Sequence, residues 1–202
     1  MKIFCIGRNY VAHALELKNE VPDSPIIFMK PSTSVLHKDR DFHIPDFSNN
    51  IHYECEVIVK IAKNGKSIHP QFAHKYIQQI SLGIDFTARD LQDELKKKGQ
   101  PWEIAKAFDG ASVIGEWQSA DVVALDNIDF KLLKNGQEVQ HGNTSLLIFP
   151  ILELICHISK YFTLQTGDVI FTGTPAGVGK VESGDYLQGM LEGKEVFDCK
   201  IV

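Results

Sequence analysis

The stretch His52-Tyr53-Glu54-Cys55-Glu56-Val57-Ile58-Val59-Lys60-Ile61 constrains this chain more than any other, because it sets two carboxylates one residue apart at the head of a β-branched run. Val57, Ile58, Val59 and Ile61 predict a strand. Strand side chains alternate faces, so Glu54, Glu56 and Ile58 share one side, while Cys55, Val57, Val59 and Ile61 share the other. At a rise of about 3.3 Å per residue the two Cβ atoms lie roughly 6–7 Å apart, and two such charges repel unless something positive intervenes. A hard divalent cation would supply it. An isolated Glu-x-Glu also describes a solvated edge strand, so the case for a site rests on the rest of the chain.

With 202 residues, 44% of them apolar and 23% charged, residues 1–202 suit one domain that buries a sizeable core. A net charge of −5 leaves no basic footprint, which argues against a nucleic-acid partner. No run approaches the about 18–20 apolar residues of a membrane span. Met1-Lys2-Ile3-Phe4-Cys5 reads as a strand rather than a signal peptide. Cys5, Cys55, Cys156 and Cys199 stand apart in apolar patterns, as buried thiols in a reducing cytoplasm do, and zinc spacing is absent.

In chain order, residues 1–6 predict a strand stopped by Gly7-Arg8-Asn9-Tyr10, and Val11 to Leu17 predicts two turns of helix. His13 and Glu16 there share a face, a spacing that lets a carboxylate orient an imidazole which accepts a proton from water. Ile26 to Met29 predicts a strand, with Lys30 at its tip as an anion contact. Asn64-Gly65 reads as a tight turn and Phe72 to Gln79 as a helix. The strand Ile80 to Ile84 delivers Asp85, a third carboxylate at a strand end. Asp90 to Lys98 predicts a helix with acids early, Lys96-Lys97-Lys98 late and Gly99 as its stop, a charge run that answers the helix dipole. Lys106 lies among apolar neighbours, where an unpaired ammonium would be costly, so it reads as kept for an anionic substrate, with its replacement by Met changing stability little. Ile128 to Val139 and the segment around Glu192-Gly193-Lys194 predict hairpins, the last strand running to Val202, and Pro150 to Tyr161 predicts a helix. Thr172-Gly173-Thr174-Pro175-Ala176-Gly177-Val178-Gly179 offers free backbone amides that would cradle a carboxylate.

Four motifs, Gly7-Arg8-Asn9-Tyr10 with His13 and Glu16, Glu54-Cys55-Glu56, Asp85-Phe86-Thr87-Ala88-Arg89-Asp90-Leu91-Gln92, and Thr172 to Gly179, together resemble the fumarylacetoacetate hydrolase family, in particular its short acylpyruvate hydrolase and oxaloacetate decarboxylase members. The resemblance implies a β-rich α+β fold with a mixed β-roll core, a Mg²⁺ or Mn²⁺ site and a homodimer. By the same resemblance Glu54, Glu56 and Asp85 are the metal ligands, His13 with Glu16 is the water-activating pair, and Lys106 contacts substrate. Arg89, Gln92 and Thr174 line the site, with Arg89 as an alternative support for the metal carboxylates. His52, Ile84 and Ala105 depart from the family's common Asp, Asn and Gly, and bear on substrate choice.

Three carboxylates leave about three of six positions on Mg²⁺ for water or substrate, which a 2-oxo acid would fill through its carboxylate and keto oxygen. The expected reaction is hydrolysis of an acylpyruvate, releasing pyruvate through its enolate. Decarboxylation or isomerisation of a 2-oxo diacid such as oxaloacetate is the alternative, and a structural ion in a noncatalytic binding protein the other.

Overall fold

In a computed structural model describing residues 1–122 and 124–202, the apolar runs become strands β1 (Ile3–Gly7), β2 (Ile26–Lys30), β3 (Ile51–Tyr53), β4 (Cys55–Ile61), β5 (Ile77–Asp85), β6 (Thr87–Ala88), β7 (Ser112–Ile114), β8 (Gln118–Ser119), β9 (Asp129–Lys134), β10 (Gln137–Asn143), β11 (Val169–Phe171), β12 (Gly179–Lys180), β13 (Tyr186–Leu191) and β14 (Lys194–Lys200). The α-helices are short: α1 (Val11–Glu16), α2 (Arg89–Lys98), α3 (Glu103–Lys106) and α4 (Ile151–Tyr161). The main sheet has the order β2-β1-β11-β4-β5-β7, with β8 also on β5. Only β1 and β11 run parallel within it; its other pairs are antiparallel.

Its central strands are apolar on both faces because both faces are covered. Phe4, Ile6, Val57, Val59 and Ile170 point into the larger core, whereas Ile3, Cys5, Ile58, Val169 and Phe171 form a second core on the opposite face. The period-two split is the one that puts Glu54, Glu56 and Ile58 together, so the carboxylates sit on the face of the smaller core. A four-stranded sheet, β10-β9-β13-β14, and a three-stranded one, β12-β3-β6, complete the fold. Its hairpin turns follow the sequence: Asn135 and Gly136 have φ of 54° and 78°, and Glu192 and Gly193 have 49° and 74°.

Three local expectations change. The single strand over 52–61 is broken at Glu54, because β3 leaves to pair with β6 and β12 while β4 pairs with β5 and β11. The helix expected over 72–79 is a 3-10 segment, Pro70–Tyr76, and Ile77 to Gln79 already belong to β5, where Lys60 pairs with Gln79 and Ile61 with Ile77. Gly65 makes no left-handed turn; it bridges to Leu164, and a Cβ there would lie 2.3 Å from Cε1 of Tyr76. The end of the chain also differs slightly, since β14 stops at Lys200 and Ile201 bridges to Phe42.

Candidate active site

The antiparallel ladder of β4 and β5 assembles the acidic cluster. Asp85 N–H donates to Glu54 O at 2.8 Å, so the end of β5 lies beside the corner before β4, and Glu56 follows two residues along the same face. One carboxylate oxygen from each of Glu54, Glu56 and Asp85 lies within 4.8 Å of the others, and all three residues are buried. Gly83 on β5 lets β7 and the Phe171 ring approach closely, since a Cβ there would meet Val113 O at 2.5 Å and Phe171 Cε1 at 2.9 Å.

Cations surround the cluster unevenly. Lys106 Nζ, at the end of α3, donates to Glu54 Oε2 at 2.7 Å, Asp85 Oδ2 at 2.8 Å and Thr87 Oγ1 at 2.6 Å. Arg89 at the start of α2 donates through Nη2 to Glu54 Oε1 and through Nη1 to Gln92 Oε1, the latter at 2.7 Å, while its buried Nε has no partner among the described residues. Burial works against the charge on Glu54, but Lys106 and Arg89 outweigh it and hold this carboxyl well below its usual range. Burial would likewise lower Lys106, and Asp85 and Glu54 raise it instead. Glu56 has no ion-pair partner among the described residues. It accepts only the Gly173 N–H, at 2.7 Å, and burial together with Asp85 and Glu54 pushes its carboxyl well above the usual range. A buried carboxylate beside two others, lacking a counter-ion, is what an oxygen-seeking divalent cation would correct, so the set fits Mg²⁺ or Mn²⁺.

Lys30, expected as an anion contact at the tip of β2, does not line the cleft. Its side chain is fully buried, with Nζ 2.6 Å from Asp85 Oδ1 and a hydrogen bond to Ala111 O at 2.8 Å, so its charge is spent on Asp85. Lys106 is paired too, tying Glu54 to Asp85, while it also lines the cleft. The glycine loop does cradle carboxylates, but the protein's own: Gly173 N–H holds Glu56, and Gly177 N–H holds Glu16 Oε1 at 3.0 Å. Thr174 donates to Cys55 O and accepts from Gln140 Nε2, both at 2.8 Å, which pins the loop to the backbone between the two glutamates.

His13 is buried on α1, with Nδ1 3.4 Å from Glu16 Oε2. Burial lowers its pKa from the usual 6.5, with Arg89 and Lys106 adding to the effect and Glu54 and Glu16 opposing it. One narrow cleft, with a volume of about 30 Å³, brings together His13, Glu54, Glu56, Asp85, Lys106 and Arg89, with Gln92 and Thr174 also on its wall.

Some residues carry roles their sequence context hides. Asn9 is fully buried, donating to Phe149 O and Thr172 O and accepting from Phe149 N–H, which fastens the first motif to the glycine loop. Gln140 accepts from Cys55 N–H at 2.9 Å and so joins β10 to the acidic corner. Nothing in the polar run of β10 distinguishes it except its inward phase. Arg8 and Lys96 also line the cleft, so the lysine run closing α2 is more than a helix-dipole complement.

Comparison with known proteins bears on this arrangement. The mitochondrial oxaloacetate tautomerase of Bos taurus is 38% identical over 192 residues, covering 95% of this chain and 87% of the relative. The oxaloacetate tautomerase of Escherichia coli (strain K12) is 38% identical over 194 residues, covering 95% and 89%. Fumarylpyruvate hydrolase from Pseudomonas aeruginosa, solved in complex with Mn²⁺ and pyruvate, superposes with a TM-score of 0.94 at 34% identity, over 100% of this chain and 89% of that one. The fold is therefore the β-rich α+β roll that these enzymes share. The family model described as fumarylacetoacetate (FAA) hydrolase C-terminal matches residues 2–200, and the chain belongs to that family.

Proposed function

We propose that this chain is a divalent-metal-dependent enzyme that interconverts the enol and keto forms of oxaloacetate. The observation that carries the reading is a buried Glu54–Glu56–Asp85 set, whose Glu56 has no Lys, Arg or His ion-pair partner among the described residues, opening on the same cleft as a buried imidazole paired with Glu16. The names of the relatives support oxaloacetate as substrate.

In this reading Glu54, Glu56 and Asp85 hold Mg²⁺ or Mn²⁺, which when bound supplies positive charge for the carboxylate and C2 oxygen of a 2-oxo acid. Lys106, fixed between Glu54 and Asp85, adds charge where the C2 oxygen becomes negative. Glu16 holds Nδ1–H of His13, leaving Nε2 to accept the enol hydroxyl proton; the imidazolium then returns a proton to C3, so the product is an isomer. Burial keeps that imidazole neutral and ready to accept. Arg89 and Gln92, bonded to each other, and Thr174 complete the substrate wall, while Lys30 steadies Asp85.

The His13–Glu16 pair equally favours a second reading, hydrolysis of an acylpyruvate. There His13 takes a proton from water as its oxygen attacks the distal carbonyl, the C–C bond breaks, and the pyruvate enolate is protonated at carbon. Decarboxylation of oxaloacetate would give the same enolate after CO₂ departs, with no water to activate. Following the loss of enol absorbance from oxaloacetate, and pyruvate release from acetylpyruvate and oxaloacetate, with Mg²⁺ or Mn²⁺ present, separates the readings. Faster enol loss without pyruvate release is expected; pyruvate from acetylpyruvate, with no effect on the enol, would establish the hydrolase instead. The proposal extends to a homodimer, checked by sedimentation against the 22.7 kDa of one chain. It also extends to a cytoplasmic location, which the four free, buried cysteines suit.

A further inference from the structure

The cleft carries more positive charge than its carboxylates use. Lys106 and Arg89 are paired with Glu54, and Lys30 with Asp85. Arg8 and Lys96 also line the cleft, yet among the described residues neither has a carboxylate within ion-pair distance or a side-chain hydrogen bond. Both are partly buried. Lys96 lies with Nζ 5.6 Å from the centre of the Trp102 ring, at a spot where burial, then the charges of Arg89 and Arg8, lower its pKa to about 8 despite Asp93 and Glu54. Like charges gathered where desolvation penalises them need an anion to repay the cost.

Two further observations point the same way. Arg8 is a non-glycine residue with φ of 59°, directly after β1, a backbone conformation that costs free energy, and it lines the cleft. The Nε of Arg89, in a residue that is 6% exposed, is buried without a partner. A lone 2-oxo carboxylate is already provided for at the metal-ligand end of the cleft, so these unspent donors call for a second negative group on the same ligand.

We propose that Arg8 and Lys96 form a second anion subsite that reads the distal carboxylate of a dianionic 2-oxo acid, making the enzyme selective for diacids over monoacids of the same class. This rests on the 2-oxo acid reading given above. Arg8 and Lys96 act on binding of the remote charge, while proton transfer stays with His13. Neutralising either should therefore raise KM for the diacid more than it lowers kcat.

The test compares kcat/KM for oxaloacetate with that for its C4 monomethyl ester, which keeps the 2-oxo carboxylate and loses the distal charge, on the metal-loaded enzyme. The wild type should favour the diacid by about 10²-fold, and Arg8→Gln and Lys96→Gln should each lower that ratio about tenfold, the worth of one charge-assisted contact. Lys96→Arg should restore the preference. Should Arg8→Gln fail to fold, Arg8→Gly removes the charge while relaxing the left-handed backbone. An unchanged ratio in folded variants overturns the subsite and leaves the oxaloacetate reading standing. If the wild type turns over neither compound, the oxaloacetate reading fails, and calorimetric titration of the Mn²⁺-loaded protein with oxomalonate and glyoxylate decides the subsite alone. Tighter oxomalonate binding that is lost in both variants supports it; equal binding of the two acids overturns it.

Discussion

Glu56 and Lys106 occupy one cluster and respond oppositely to replacement. Among the described residues, the Gly173 N–H and the more distant charge of Lys106 offset the burial of Glu56 between two carboxylates but do not outweigh it, so Glu56→Gln removes a charge the metal-free fold accommodates poorly. Melting in EDTA should show this variant at least as stable as the wild type, while calorimetry should show divalent-metal affinity down by 10²-fold or more. Lys106 is the reverse. Its apolar sequence neighbours suggest an ammonium kept for substrate and a variant of ordinary stability, but its three short contacts make it the counter-charge of Glu54 and Asp85. Lys106→Met should cost about 1.5–3 kcal/mol of stability without metal, measured by denaturant titration, because two buried carboxylates each lose one of two cationic partners, Arg89 remaining on Glu54 and Lys30 on Asp85. For His13, burial favours the neutral imidazole, so kcat/KM should hold through pH 6.5 and fall only in more acid solution. An acid limb above pH 7 would remove His13 as the base. The sequence makes residue types and shared faces legible, as with Glu54, Glu56 and Asp85. It is silent on which cation meets which carboxylate, because Lys30, Arg89 and Lys106 arrive from separate elements and the pairings exist only after they pack.

Among the elements, the loop from Thr172 to Gly179 joins the two halves of the cleft, since its amides hold Glu56 from the sheet and Glu16 from α1. Gly177 has φ of 97°, and a Cβ there would lie 2.3 Å from Val139 O. Gly177→Ala should destabilise the fold by about 2 kcal/mol and slow turnover more than tenfold by displacing Glu16 from His13, with metal affinity nearly unchanged. Loss of metal binding with normal turnover would contradict that division of labour. A glycine-rich run announces free amides in sequence, but not whether a ligand or the protein's own acids will take them. Gly65 shows a related limit: beside Asn64 it reads as a turn residue, yet its lack of a side chain makes room for the Tyr76 ring. Likewise Phe72 to Gln79 has helical spacing locally, and the ladder with β4 claims its last residues for β5.

At the scale of the molecule, the sheet is covered on both faces by cores of unequal size, and the cleft sits on the face of the smaller one, where β4 and β5 present their acids beside α1, α2 and α3. Short β-branched and aromatic runs made this β-rich architecture legible, because β1, β4 and β11 are apolar on both faces and feed two cores. The order of strands was not legible, since β1 reaches β11 across more than 160 residues and only tertiary packing chooses that partner. A metal that completes the acidic cluster should stabilise the whole fold by mass action, about 2.7 kcal/mol at one hundred times its Kd, and raise the melting temperature accordingly. The most direct test is the rate of enol-oxaloacetate ketonisation by protein stripped with EDTA, before and after Mg²⁺ or Mn²⁺ is returned, with Glu56→Gln assayed alongside. Activity should vanish in EDTA, return with either ion in the wild type and stay absent in the variant; full activity in EDTA would contradict a metal-dependent enzyme built on Glu54, Glu56 and Asp85.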